Sequence, residues 1–312
     1  MINFICIAMV LFSIGIVISK SEAKETIPFE EYRSQGGNSY VKLSDGWTNY
    51  ELTGDANAKR TVVLIHGGTI PLCIWESQME ALKSADIRIL RYDQYGRGFS
   101  GRPDGVYSRE LFSRQLKELL DSLKITTPVD IIGPSFGGAI AVTFTSKFPE
   151  RVRSILLISP ALNVINSNSP LSGPLKLMRN PIFGNLIYKL IIKRKLIARA
   201  GLMIPGGDNS SCKTTFKNQF KCKGTDRALH SLFRSDSFED YRDLTRITGS
   251  LLKKILLLHG QTDKEITPEM IKQIREDLPE CQFVELQNSG HSPGTDAADK
   301  LNKIIVDFVT SE

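Results

Sequence analysis

The chain has 312 residues, 41% hydrophobic and 24% charged, with a formal net charge of +6. That length suits one large or two small globular domains with a substantial buried core. The ordinary composition excludes a fibrous or wholly disordered protein, and no internal repeat is present.

The first 23 residues stand apart. Ile2 to Ile18 is apolar except for Asn3, Ser13 and Gly15, and Lys20-Ser21-Glu22-Ala23 follows. Ser21 and Ala23 have the small-residue spacing that a signal peptidase reads, although the stretch before the apolar run lacks Lys and Arg. Seventeen residues is at the short limit for a membrane span. The segment is therefore expected to be a cleaved signal peptide, with an uncleaved N-terminal anchor as the alternative. Either places the protein outside the cytoplasm, secreted or periplasmic, or held at a membrane.

Residues 24–38 form a polar lead-in. Tyr40–Leu43 and Trp47–Leu52 read as strands around the turn Ser44-Asp45-Gly46. Thr61–Ile65 is continuously apolar, as a strand buried on both faces must be. Ile87–Tyr92, Val129–Ile132, Ser154–Ile158, Ile255–Leu258 and Gln282–Leu286 repeat that character. Helical patterns lie between them at Ile74–Ser84, Ser108–Leu123, Phe136–Phe148, Pro268–Asp277 and Ala297–Val309. The alternation predicts an α/β fold, a mostly parallel eight-stranded sheet with helices on both faces. It breaks once. Residues 160–249 contain no strand-like run and a helix is expected over Leu186–Ala200, so this segment reads as a helical lid inserted into a core of residues 24–159 and 250–312. The charge there is lopsided. Leu171 to Arg227 holds twelve Lys or Arg and two Asp, a net of +10, which leaves −4 for the rest of the chain.

Four cysteines remain beyond the leader: Cys73, Cys212, Cys222 and Cys281. An even number in an exported chain permits disulfides. Cys212 and Cys222, close in sequence and flanking a polar loop, are the expected pair, while Cys73 and Cys281 should lie too far apart to bridge. No Cys/His cluster has zinc-ligand spacing, and neither metal nor cofactor is expected.

Gly133-Pro134-Ser135-Phe136-Gly137-Gly138 follows a strand and opens a helix. A G-x-S-x-G in that context is a nucleophile elbow, a turn so tight that its flanks must be small and its serine hydroxyl stands clear. The structural alternative is a glycine-rich turn with a bystander serine. A serine hydroxyl needs a base. Of His66, His230, His259 and His291, the first and third each end a buried strand and are expected to pack turns, and His230 belongs to the lid. His291 follows the last strand, where catalytic groups gather in an open α/β sheet. Asp263, in the loop after the penultimate strand, can orient it. Two backbone N–H groups must meet the oxyanion: that of Phe136, and one from His66-Gly67-Gly68-Thr69, with Gly68 the better candidate and Thr69 the second.

The sequence resembles the α/β-hydrolase superfamily, in its esterase, lipase and C–C hydrolase part. The resemblance covers roughly residues 40–160 and 250–310. Its carriers are His66-Gly67-Gly68, Tyr92-Asp93-Gln94-Tyr95-Gly96-Arg97-Gly98-Phe99-Ser100, the Gly133–Gly138 elbow, His259-Gly260-Gln261-Thr262-Asp263 and Ser289-Gly290-His291. Among relatives the Asp93–Ser100 type of segment is structural. Pro134 departs from the polar residue common before the nucleophile, and Ser135 argues against the carboxylate-nucleophile dehalogenases and epoxide hydrolases. The resemblance implies a serine hydrolase acting on carboxylic esters through Ser135, Asp263 and His291. A C–C or amide hydrolase with the same triad is the alternative, and a non-catalytic binding protein a more distant one. The expected partner is a small-molecule or lipid ester. The basic lid adds an anionic membrane surface, and no nucleic acid is expected.

Overall fold

A computed structural model describes residues 24–37, 39–204 and 210–311; the apolar N-terminal segment lies outside the described residues. The lead-in carries a short helix, α1 (Phe29–Arg33). The remaining elements in chain order are β1 (Ser39–Lys42), β2 (Trp47–Thr53), β3 (Thr61–Ile65), α2 (Glu76–Ser84), β4 (Arg88–Tyr92), α3 (Arg109–Ser122), β5 (Val129–Pro134), α4 (Phe136–Lys147) and β6 (Val152–Ile158). The chain then leaves the sheet for α5 (Ser172–Met178), α6 (Gly184–Ile187), α7 (Lys193–Met203), α8 (Ser211–Asn218), α9 (Thr225–Arg234) and α10 (Arg242–Leu251). It returns for β7 (Ile255–Gly260), α11 (Pro268–Asp277), β8 (Gln282–Leu286), α12 (Pro293–Asp296) and α13 (Ala298–Thr310).

The eight strands form one sheet in the order β1-β2-β4-β3-β5-β6-β7-β8. β1 and β2 are antiparallel, β2 meets β4 antiparallel, and every later pairing is parallel. Alternation along the central strands divides the core in two. Val63 and Ile65 face α3 and α4 with Leu116, Leu119 and Ala139. Val62 and Leu64 face α2 and α13 with Met79, Leu82 and Ile305. All five residues of β3 are buried, which explains its unbroken apolar run. Each fully buried aliphatic side chain here stabilises the fold by about 1.5–3 kcal/mol.

Residues 159–254 contain no strand among those described, as the sequence predicts. The helix expected over Leu186–Ala200 runs longer, from Gly184 to Met203, through a π-helical turn at Tyr188–Ile192. That turn shifts the helical phase. Lys193, part of the cationic run, consequently points inward and pairs with Asp226 at 2.8 Å, while Lys195 stays exposed.

The cysteine pairing differs from expectation. Cys73 is bonded to Cys212, with α-carbons 5.3 Å apart, and Cys222 and Cys281 are free. The stretch between Cys212 and Cys222 is α8 followed by a 3-10 turn, Gln219–Lys221, rather than a loop. Ten residues of helical rise separate the two by about 15 Å, beyond disulfide reach. Cys222 instead lies buried where the lead-in meets the insert, itself forming an isolated parallel bridge with Ile27.

Candidate active site

Ser135 stands between β5 and α4 at φ 51°, ψ −120°, a left-handed conformation that costs a non-glycine residue about 1–3 kcal/mol. The surroundings hold it there. Ser135 N donates to Ile158 O at 2.9 Å, and Ser135 O accepts from Gly138 N and Ala161 N, both at 3.0 Å. Gly137 must be glycine, because a Cβ on it would lie 2.5 Å from Ile65 O and 2.8 Å from His66 O. That close approach brings the end of β3 against the first turn of α4. Gly67 and Gly68 then lie beside Ser135 and Phe136, and the start of α4 supplies the positive end of a helix dipole.

The Gly67–Thr69 loop is fixed from behind. His66 Nδ1 donates to Gly67 O at 2.7 Å, and His66 Nε2 accepts from Gln94 N at 3.0 Å. Burial lowers the His66 pKa to about 3, so the ring is neutral and its tautomer is set by these two bonds. Arg97, wholly buried, donates from Nε to Gly68 O at 2.9 Å and from Nη1 to Tyr95 O at 2.7 Å. Burial pulls its pKa down to about 9. Asp93 accepts from Leu72 N, Asn49 Nδ2 and Phe99 N. The Asp93–Ser100 segment thus has a structural part, bracing the loop beside the serine.

Across the cavity, β7 and β8 are neighbours, so the loops at their carboxyl ends meet. Gly260 allows this, since a Cβ there would lie 2.1 Å from Gly290 O. Asp263 Oδ2 accepts from His291 Nδ1 at 2.9 Å, and Oδ1 accepts from Glu265 N and Ile266 N at 2.8 and 3.1 Å. Burial pushes the Asp263 carboxyl up. The hydrogen bond and charge of His291 outweigh it, and the pKa falls below the ordinary carboxylate value. His259 donates from Nε2 to Ile266 O at 2.8 Å and fastens the same loop, the packing role expected of it.

Ser135, His291, Gly68 and Phe136 line one cavity of about 190 Å³. Asp263 reaches it through His291. No hydrogen bond joins Ser135 to His291 among the described residues. His291 Nε2 faces Glu265 at 3.3 Å instead, and Glu265 is also paired with Arg199 from α7. Glu265 and Arg199 both line the cavity, and sequence reading singled out neither. The rest of the lining is mostly apolar, with Leu175, Met178, Ile192, Leu196 and Met203 from the insert and Ile74 from the core. His230 lies outside this cavity, its ring 5.4 Å from that of Tyr188. Among the described residues no group of three or more His, Cys, Asp or Glu is placed to hold a metal ion.

A family profile described as alpha/beta hydrolase fold matches residues 60–298. The chain belongs to the α/β-hydrolase family. It is 26% identical over 269 residues to 2-hydroxy-6-oxo-2,4-heptadienoate hydrolase of Pseudomonas putida, covering 83% of this chain and 92% of that one. It is 25% identical over 218 residues to Lipase 1 of Psychrobacter immobilis, covering 67% and 64%. Among solved structures, the enol-lactonase of Burkholderia xenovorans LB400 superposes with a TM-score of 0.67 at 22% identity, over 88% of this chain and all of that one. A thermophilic esterase of Thermogutta terrifontis gives 0.64 at 22% identity, over 88% and 98%. At these identities the structural likeness establishes the fold.

Proposed function

We propose that this α/β hydrolase is a serine hydrolase that cleaves carboxylic ester bonds through an acyl-enzyme. One observation carries the reading: a strained Ser135 at the start of α4 lines the same apolar cavity as a histidine already hydrogen-bonded to a buried aspartate. Ser135 Oγ attacks the ester carbonyl carbon while His291 Nε2 takes the hydroxyl proton. Asp263 holds the ring and stabilises its cation. The N–H groups of Phe136 and Gly68 receive the developing oxyanion. As the C–O bond breaks, His291 returns the proton to the leaving alkoxide. Water then attacks the acyl-enzyme with His291 again as base, and the acid and free Ser135 are restored.

For this, Nε2 must turn from Glu265 to Ser135. The Arg199 guanidinium offers Glu265 a competing partner, so the carboxylate need not hold the imidazole. Glu265→Gln removes that competition while keeping the shape, and kcat on a soluble ester is expected to stay within about tenfold of wild type.

A C–C bond hydrolase with the same triad is the second reading, favoured by the name of the Pseudomonas putida relative and by a cationic Arg199 in the cavity. Against it, Glu265 already neutralises Arg199, which leaves little to hold a dienoate carboxylate. Turnover of p-nitrophenyl esters of graded chain length, together with labelling by a fluorophosphonate probe, tests the first reading. Ester turnover and labelling that both vanish in Ser135→Ala support it. Cleavage of a 2-hydroxy-6-oxodienoate with no ester turnover would transfer the assignment to the second.

A further inference from the structure

Nine large apolar side chains are exposed among the described residues, and six of them lie between 177 and 202: Leu177, Ile182, Phe183, Leu186, Ile191 and Leu202. Ile182, Phe183 and Leu202 are 75%, 56% and 84% exposed, more than scattered surface residues need to be. Leu177 lies on α5, Ile182 and Phe183 in the turn that follows it, and Leu186, Ile191 and Leu202 on the helix from Gly184 to Met203. One side buries Tyr188, Lys193 and Ala200; the other presents Leu186, Ile191, Lys195 and Leu202, spaced as one line once the π turn is counted. In sequence, exposed Lys176, Lys189 and Lys195 alternate with these apolar groups, Lys189 at the edge near Glu25. The one described acid between 171 and 227, Asp226, is occupied by Lys193.

A second observation concerns the other end of the chain. The first described residues are fastened to the insert: Thr26 N and Ile27 N donate to Lys221 O at 2.9 Å, and the Glu25 carboxylate accepts from Gly224 N at 3.0 Å. Glu25 also borders the same surface recess as Asn185 and Lys189. The described chain therefore begins beside the exposed helix.

We propose that the face formed by residues 176–202 docks on bilayers containing anionic phospholipid. Phe183, Ile182 and Leu202 enter the interface and Lys176, Lys189 and Lys195 meet the headgroups. Among the described residues no helix is long and apolar enough to cross a membrane. The same helix lines the cavity with Ile192, Leu196 and Met203 on its inner side. Docking sets the cavity wall against the lipid and selects lipid esters. That last step rests on the serine-hydrolase reading; the docking does not.

The test uses the full chain with Phe183→Trp, Leu202→Trp or Leu251→Trp, the last on α10 outside the face. Tryptophan quenching by vesicles of brominated phosphatidylcholine, with or without phosphatidylglycerol, reads insertion at each position. Quenching at 183 and 202 but not 251, dependent on phosphatidylglycerol and weakened by salt, is the expected result. Lys189→Glu/Lys195→Glu should reduce vesicle affinity by at least about tenfold. The same pair should slow hydrolysis of a vesicle-embedded ester and leave a soluble p-nitrophenyl ester unaffected. Quenching without phosphatidylglycerol, equal quenching at 251, or none at 183 and 202 would overturn the proposal. So would a fluorescence change at 183 that follows protein concentration without lipid, which would assign the face to a second copy of the chain. Should neither ester be turned over while quenching persists, the serine-hydrolase reading fails and the docking stands.

Discussion

Ser135, Phe136 and Gly68 occupy a cavity wall whose turns are fixed by backbone hydrogen bonds, a neutral buried histidine and a buried arginine. The facing wall is helical and offers side chains alone: Leu175 and Met178 from α5, and Ile192, Leu196 and Met203 from the Gly184–Met203 helix, whose far side stays open to solvent. The insert is not uniformly loose. Its later part is tied to the core by Cys73–Cys212, by Gln219, which accepts from Gly98 N at 2.9 Å and donates to Thr69 O at 3.1 Å, and by Ser235 and Ser237 hydroxyls donating to Tyr107 O. Bond-making chemistry tolerates little displacement of its donors. Selection among apolar chains tolerates much more, since each methylene is worth only about 1–3 kcal/mol. The rigid wall therefore suits the reacting atoms and the helical wall the choice of substrate.

Substitutions can break this division, and they differ widely in expected size. Ser135→Ala should lower ester kcat by about four to six orders of magnitude, with the thermal transition almost unmoved, because only a hydroxyl is removed. Retention of the rate would mean that the rigid wall has another nucleophile. Cys212→Ser releases the insert from the segment that follows the oxyanion loop. Removal of a native crosslink is expected to cost about 2–4 kcal/mol, read as a lower denaturation midpoint. Reduction should lower the wild-type midpoint in the same way and leave the variant's unchanged.

His66 supplies a pH test of the rigid wall. Unfolded, it takes up a proton near pH 6.5; folded, only near pH 3. Between these values the unfolded state holds the extra proton, so stability is complete above pH 6.5 and falls with acidification by up to about 1.4 kcal/mol per pH unit. His66→Gln should be less stable at pH 7 and show a shallower acid slope in denaturant titrations from pH 7 to 4. An unchanged slope would mean that His66 is not the proton acceptor. The smallest effect belongs to the helical wall. Leu196→Ala should shift preference toward longer acyl chains by about two- to tenfold in kcat/KM, with total activity on the best substrate preserved.

The sheet was legible because its central strands are buried on both faces and therefore apolar throughout, and the elbow because only glycine fits where Gly137 meets Ile65. The Asp263–His291 contact followed from strand order, since two loops at the same end of adjacent strands must meet. Contacts set by long-range packing of side chains left no local mark. Nothing around Glu265 signals that it reaches the far nitrogen of His291, or that Arg199, more than sixty residues earlier, closes on it. The cysteine pairing was misread because a helical segment was taken for a loop. The exposed apolar line was hidden because a π turn breaks the period by which a helical face is recognised.

Cys73–Cys212 also bears on the order in which the chain is made. No cysteine lies between them. As the polypeptide emerges, the next thiol to appear after Cys73 is its native partner, and by then β3 to β6, α4 and the serine turn have all been synthesised. Cys222 and Cys281 emerge later. Vectorial synthesis thus presents the native pairing ahead of the two competing ones downstream. A protein refolded from denaturant, with all its thiols exposed at once, loses that head start.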